Sequence, residues 1–149
     1  MHPFDPRTVF LARHAQHVVL VHFPIALFLT GVFCDVLAHW GKKQQLKPVA
    51  QFNLDVGAFM AIPVAFTGLL AWQWQLEGQR LKGILLMHLV FGLSSVTLCW
   101  LVVWLRACEW KSEASTLPAS HGLIELAAVV VVAVTGHLGG FVSGVNLPS

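Results

Sequence analysis

The chain has 149 residues, of which 56% are hydrophobic, and its nine Lys or Arg and seven Asp or Glu give a formal net charge of +2. A soluble domain has about a quarter of its residues charged, whereas this chain has 11% and a mean hydropathy of +0.72. That excludes a soluble globular domain, a disordered tail and a collagen-like fibre, and three cysteines are too few for a disulfide-stapled module. A small integral membrane protein remains.

The apolar residues fall into four blocks, 17–39, 52–74, 83–105 and 121–142. Each is roughly 20 residues, the length that crosses about 30 Å of hydrocarbon at 1.5 Å per residue. The first, HVVLVHFPIALFLTGVFCDVLAH, has Asp35 as its only acidic or basic residue besides histidine, and the second, FNLDVGAFMAIPVAFTGLLAWQW, has Asp55 near its start. The third contains no Asp, Glu, Lys or Arg, and the fourth carries Glu125 alone. The connecting segments are short and hold most of the charge, which makes neighbouring spans antiparallel. The expected fold is all-α, an integral membrane four-helix up-and-down bundle forming a single domain over 1–149. No internal repeat or low-complexity tract is evident, and no removable signal peptide is expected.

In this topology both chain ends lie on one side, here called X, opposite side Y. Basic residues number four on X (Arg7, Arg13, Arg80, Lys82) and five on Y (Lys42, Lys43, Lys47, Arg106, Lys111), which leans toward Y being cytoplasmic and the termini periplasmic. Tryptophans fall at the span boundaries, Trp40, Trp100, Trp104 and Trp110 at Y and Trp72 and Trp74 at X, as interfacial belts do.

Ionisable groups inside a bilayer are functional candidates. His22 and His88 each lie about five residues into their spans from X, and His137 about five residues before the fourth span leaves at X. The spacing thus puts three imidazoles in one layer, roughly 7 to 8 Å below the X boundary, with His17 and His14 just above it. One buried imidazole is accounted for by donation across helices, but three at one depth suit iron in haem, zinc or copper. Gly92 and Ser95 follow His88 on its helical face, and Gly136, Gly139 and Gly140 flank His137, which leaves space for a flat macrocycle. The CxxCH motif does not occur, so a haem here would be b-type. His39 and His121 share a depth near Y but turn away from the other histidines, and are expected at the interface.

The acids collect near Y. Asp55 and Glu125 are expected in first helical turns, where the helix dipole favours negative charge; the functional alternative is a quinone or proton site. Cys34 and Cys99 are expected to be packing residues.

These residues resemble a known family. HVVLVHFPIAL is similar to the HPxxVHFPIxL opening of the bacterial membrane family known as domain of unknown function 2231, with Val18 in place of the usual proline. IPVAFTGLLAW resembles its second span, His88 matches its third-span histidine, and TGHLGGFVSGVNLP is similar to its GHxGGxxxxG ending, although FVSGVN lacks a histidine that some members carry. The resemblance covers about residues 15 to 147. It implies haem bound within four helices, with His17, His22, His88 and His137 as candidate ligands.

The expected function is a b-type cytochrome subunit, not a stand-alone enzyme. It would hold one haem b, or two, on His22 and His88, with His137 able to substitute for either, and pass electrons between membrane quinone and a redox partner. His17 is about 140° from His22 around the helix and cannot easily serve the same iron. Expected partners are membrane lipid and other subunits of a respiratory complex in the bacterial inner membrane, with no nucleic acid. One alternative is a bare copper or zinc ion on His22, His88 and His137; another is a purely structural anchor.

Overall fold

A computed structural model describes residues 6–75, 78, 80–112 and 119–143, and side chains at 17–73, 78, 80–108 and 121–143. The expectations on His14, Arg7, Arg13, Trp74, Trp110, Lys111 and the end of the family resemblance beyond Ser143 fall outside these limits. Among the described residues lie four α-helices: α1 (Pro6–His39), α2 (Lys47–Gln75), α3 (Gly83–Ser112) and α4 (Ala119–Val142). A short 3-10 turn, Gln44–Leu46, leads into α2. No strand occurs among the described residues. Within the helices, the segments His17–His39, Gln44–Gln73, Gly83–Cys108 and His121–Val142 are long and apolar enough to cross a bilayer. The all-α four-helix membrane bundle is therefore what the chain forms.

The helices outrun the hydropathy blocks, because helical hydrogen bonding continues where apolar sequence stops. α1 starts at Pro6, so His17 sits well inside a continuous helix. α2 starts at Lys47, which puts Asp55 in the third turn, where the helix dipole has faded. Its carboxylate instead accepts a 2.8 Å hydrogen bond from Gln51. α3 continues to Ser112, so Arg106 is a helical residue and not a loop charge.

The helices pair as two antiparallel hairpins. α1 lies along α2 and α3 along α4, α2 meets α3 over a smaller area, and α1 approaches α4 at few places. The first hairpin packs closely because Gly31 lets Leu54 in: a Cβ there would lie 2.8 Å from Leu54 Cγ. Between the hairpins Phe28, Leu54, Ala58, Cys99, Val102, Ala128 and Val132 form the buried core. Phe33, Phe59, Phe66, Leu123 and Leu126 face outward, and such an all-round apolar exterior is what lipid requires. Trp40 and Trp104 are exposed near Y, as the belt predicts, but Trp72 lines an internal cavity.

Candidate functional site

The two hairpins part toward side X around a cavity of about 690 Å³, a size that holds a cofactor-scale molecule. His17, His22 and His88 line it, with Gly92, Ser95, Thr135, Gly136 and Gly139. No Asp, Glu, Lys or Arg is among its described lining residues.

Two of these histidines meet the facing helix of their own hairpin, one through a side chain and one through the main chain. His17 of α1 places Nδ1 3.1 Å from Thr67 Oγ1 of α2. That hydroxyl also lies 2.8 Å from Val64 O of its own helix. His88 of α3 donates from Nδ1 to the main-chain O of Thr135 in α4 at 3.1 Å; a carbonyl can only accept. The carbonyl partner of His88 fixes its Nδ1–H tautomer and leaves the lone pair on Nε2, the atom with which an imidazole ligates a metal.

A glycine underlies each ring. A Cβ on Gly68 would lie 2.9 Å from His17 Cε1, and one on Gly139 would lie 3.1 Å from His88 Cε1. Thr67 stands eight residues before the end of α2 at Gln75 with Gly68 next to it, and Thr135 seven before the end of α4 at Val142 with Gly139 one turn further on. The hairpins therefore repeat one device, a histidine on the first helix docked on a threonine and a glycine of the second. No repeat was evident in the sequence, because the matching positions are few and distributed over separate helices.

The other expected ligands are placed differently. His22 lines the cavity but is exposed, and its Nδ1 donates to Val18 O of its own helix at 2.6 Å. His137 is not among the lining residues; it is exposed and meets Phe141 edge to face, with ring centroids 4.9 Å apart. Two positions along a helix turn a side chain by about 200°, so His137 leaves α4 opposite Thr135. Equal depth did not imply a shared face. Among the described residues no three His, Cys, Asp or Glu side chains gather to hold a metal ion, so His22, His88 and His137 do not form the three-imidazole site expected for bare copper or zinc. Gly92, Gly136 and Gly139 do lie in the cavity wall.

At side Y the buried polar groups are charged. Asp35 of α1 is 3% exposed and Glu125 of α4 is 7% exposed. Arg106 of α3 joins them: Nη2 pairs with Asp35 Oδ2, and Nη2 and Nε each lie 2.9 Å from Glu125 Oε1. His39 Nδ1 lies 3.3 Å from Asp35 Oδ2 and 3.0 Å from Asp35 O. Glu125 is thus held by a guanidinium and not by a first-turn dipole. The space beside Arg106, His121 and Glu125 is about 10 Å³, enough for a water molecule and too small for a quinone ring.

Four antiparallel apolar helices, open around an uncharged histidine cavity at one end and joined by buried ion pairs at the other, define a small polytopic membrane protein. The family model described as predicted membrane protein (DUF2231) matches residues 13–145, and the chain belongs to that family. No curated protein and no solved structure matches the chain.

Proposed function

We propose that the chain is a b-type cytochrome subunit whose haem is held between the hairpins by His17 and His88. The observation that carries this reading is the paired arrangement in one cavity: two imidazoles from different hairpins, each hydrogen-bonded to the facing helix through Nδ1 and each resting on a glycine. The donor set fits iron porphyrin, the volume suits a macrocycle, and the uncharged walls suit a largely apolar ring. Gly92 and Gly136 keep the walls free of side-chain bulk. A haem held by these two residues would supply one-electron redox chemistry. Thr67 and the Thr135 carbonyl orient the rings, and the surrounding Ile25, Leu85, Leu89 and Val132 exclude water.

His17 here takes the role that depth alone gave to His22, which remains at the exposed rim of the same cavity. In this reading the chain lies in a bacterial inner membrane with other subunits of a redox complex, and quinone dissolved in the bilayer exchanges electrons with it. The test is a reduced-minus-oxidised optical spectrum of the purified full chain, with a metal assay. A b-type α band, lost in His88→Ala and in His17→Ala, supports the proposal. A colourless protein containing copper or zinc favours the metal-ion alternative; a colourless, metal-free one leaves a structural anchor.

A further inference from the structure

The least closed seam of the bundle runs between α1 and α4, which approach each other at few places. His22 of α1 and Gly136 of α4 both line the cavity and are both exposed on the outside, so the cavity opens through this seam. Toward side Y the seam closes where Ile25 packs on α4, its Cδ1 3.8 Å from where a Cβ on Gly136 would stand. His22 lies five residues into the membrane-crossing segment His17–His39, roughly 7 to 8 Å in at 1.5 Å per residue. The mouth therefore faces acyl chains, and what enters by it comes dissolved in the membrane.

The polar atom at this mouth has a fixed character. His22 Nδ1 donates to Val18 O of its own helix at 2.6 Å, because a carbonyl can only accept, and the neutral ring keeps its lone pair on Nε2. Among the described residues no donor is hydrogen-bonded to that nitrogen. An acceptor at hydrocarbon depth is stabilised by a hydroxyl partner. On the opposite lip Gly136 and Gly140, one turn apart in the cavity wall, present no side chain, which leaves a slot for a flat ring. A reduced quinone has the flat ring, the apolar tail and the hydroxyl donors that such a mouth receives. Its oxidised form carries two carbonyls, which only accept and do not pair with Nε2.

We propose that the mouth between α1 and α4 is a docking site for hydroquinone, entered from the bilayer, with a ring hydroxyl donating to His22 Nε2. The proposal rests on the cytochrome reading for its purpose, and adds to it which redox form of the quinone the site receives. It gives His22 a role separate from iron ligation.

The experiment measures binding of a decyl-benzohydroquinone, and of the same compound oxidised, to the full chain in lipid nanodiscs under argon, with empty nanodiscs as the blank for partition into lipid. The proteins compared are the parent, His22→Phe, which keeps a ring without the acceptor, and His22→Gln, which restores an acceptor oxygen. An optical spectrum of each sample reports haem separately. The parent should bind the hydroquinone about tenfold more tightly than the quinone, the worth of one hydrogen bond. His22→Phe should lower hydroquinone affinity about tenfold, to the level of the quinone, and His22→Gln should retain most of it. In nitrogen NMR of the parent, the His22 Nε2 signal should shift on adding hydroquinone and not on adding quinone. Equal binding of the two redox forms by the parent, or a preference that survives in His22→Phe, overturns this inference and leaves the cytochrome reading standing. Equally tight binding of dioctanoylglycerol, a lipid hydroxyl without a ring, overturns it as well. A colourless parent that keeps the His22-dependent preference overturns the cytochrome reading and leaves the docking site. If His22→Phe fails to fold, the parent decides: an Nε2 signal that hydroquinone does not move overturns the inference.

Discussion

At side Y three helices are joined by charge, with Arg106 of α3 between Asp35 of α1 and Glu125 of α4. At side X, in the same bundle, no Asp, Glu, Lys or Arg is among the described residues lining the cavity, and the polar groups there are three histidines, Thr135, two serines and the Trp72 indole. In a medium without water a charge must be paired, so it draws helices together. A neutral imidazole needs only one hydrogen bond on Nδ1 and can stand at the edge of an open space. The ion pairs tie the two hairpins at one end, and the glycines and histidines keep a cavity between them at the other. The molecule is clamped where it is charged and hollow where it is neutral.

The largest effect should come from breaking the clamp. Arg106→Met leaves two carboxylates buried together and should destabilise the protein by about 3–5 kcal/mol, read as a lower unfolding midpoint in mixed detergent. Neutralising all three groups (Arg106→Met with Asp35→Asn and Glu125→Gln) should restore most of that stability. If the single variant unfolds like the parent, the clamp has no role.

The next effect should separate the two ends. Gly139→Val pushes a branched side chain into the ring of His88, and overpacking of this kind costs about 1–3 kcal/mol. It should displace the ring and, under the cytochrome proposal, alter the optical spectrum, while ion pairing at Y is unaffected. A parent-like spectrum would show that the glycine under His88 is not a steric requirement. His88→Ala should erase the low-spin spectrum while the helical circular dichroism stays at its parent level, since the clamp is intact; loss of both would mean that the ends are not independent. The smallest effect belongs to His137→Ala, an exposed side chain outside the cavity wall. Its stability should change by less than about 0.5 kcal/mol, with no change in spectrum, and a lost spectrum would reinstate His137 as a ligand.

Much of the cavity was legible in the sequence. His88, Gly92, Gly136 and Gly139 follow from depth and from small residues near a histidine, and all four line it. His17 was recognised but set behind His22, because it lies just above the shared layer and about 140° around the helix from His22. Once α1 is known to begin at Pro6, His17 is interior. The threonines were hidden for another reason: Thr67 lies 50 residues from His17 and the Thr135 carbonyl 47 from His88, and nothing local marks a residue as an acceptor for a distant ring. Arg106 was missed because a lone arginine after an apolar run reads as a loop cation, and only its two partners on other helices reveal it as buried.

The sequence by itself determined the class of molecule and the number of spans, because burying backbone in hydrocarbon demands roughly 20-residue apolar helices whatever they pack against. It also determined the layer that each histidine and acid occupies, since depth follows from a fixed rise per residue. Only the tertiary structure decided direction. Which histidines turn into the cavity, which threonine receives each ring, and which carboxylates share Arg106 all depend on how four nearly uniform apolar cylinders are rotated about their axes. Helices that are apolar all round carry no strong periodic signal to fix that rotation, and the contacts that do fix it are few, polar and far apart in the chain.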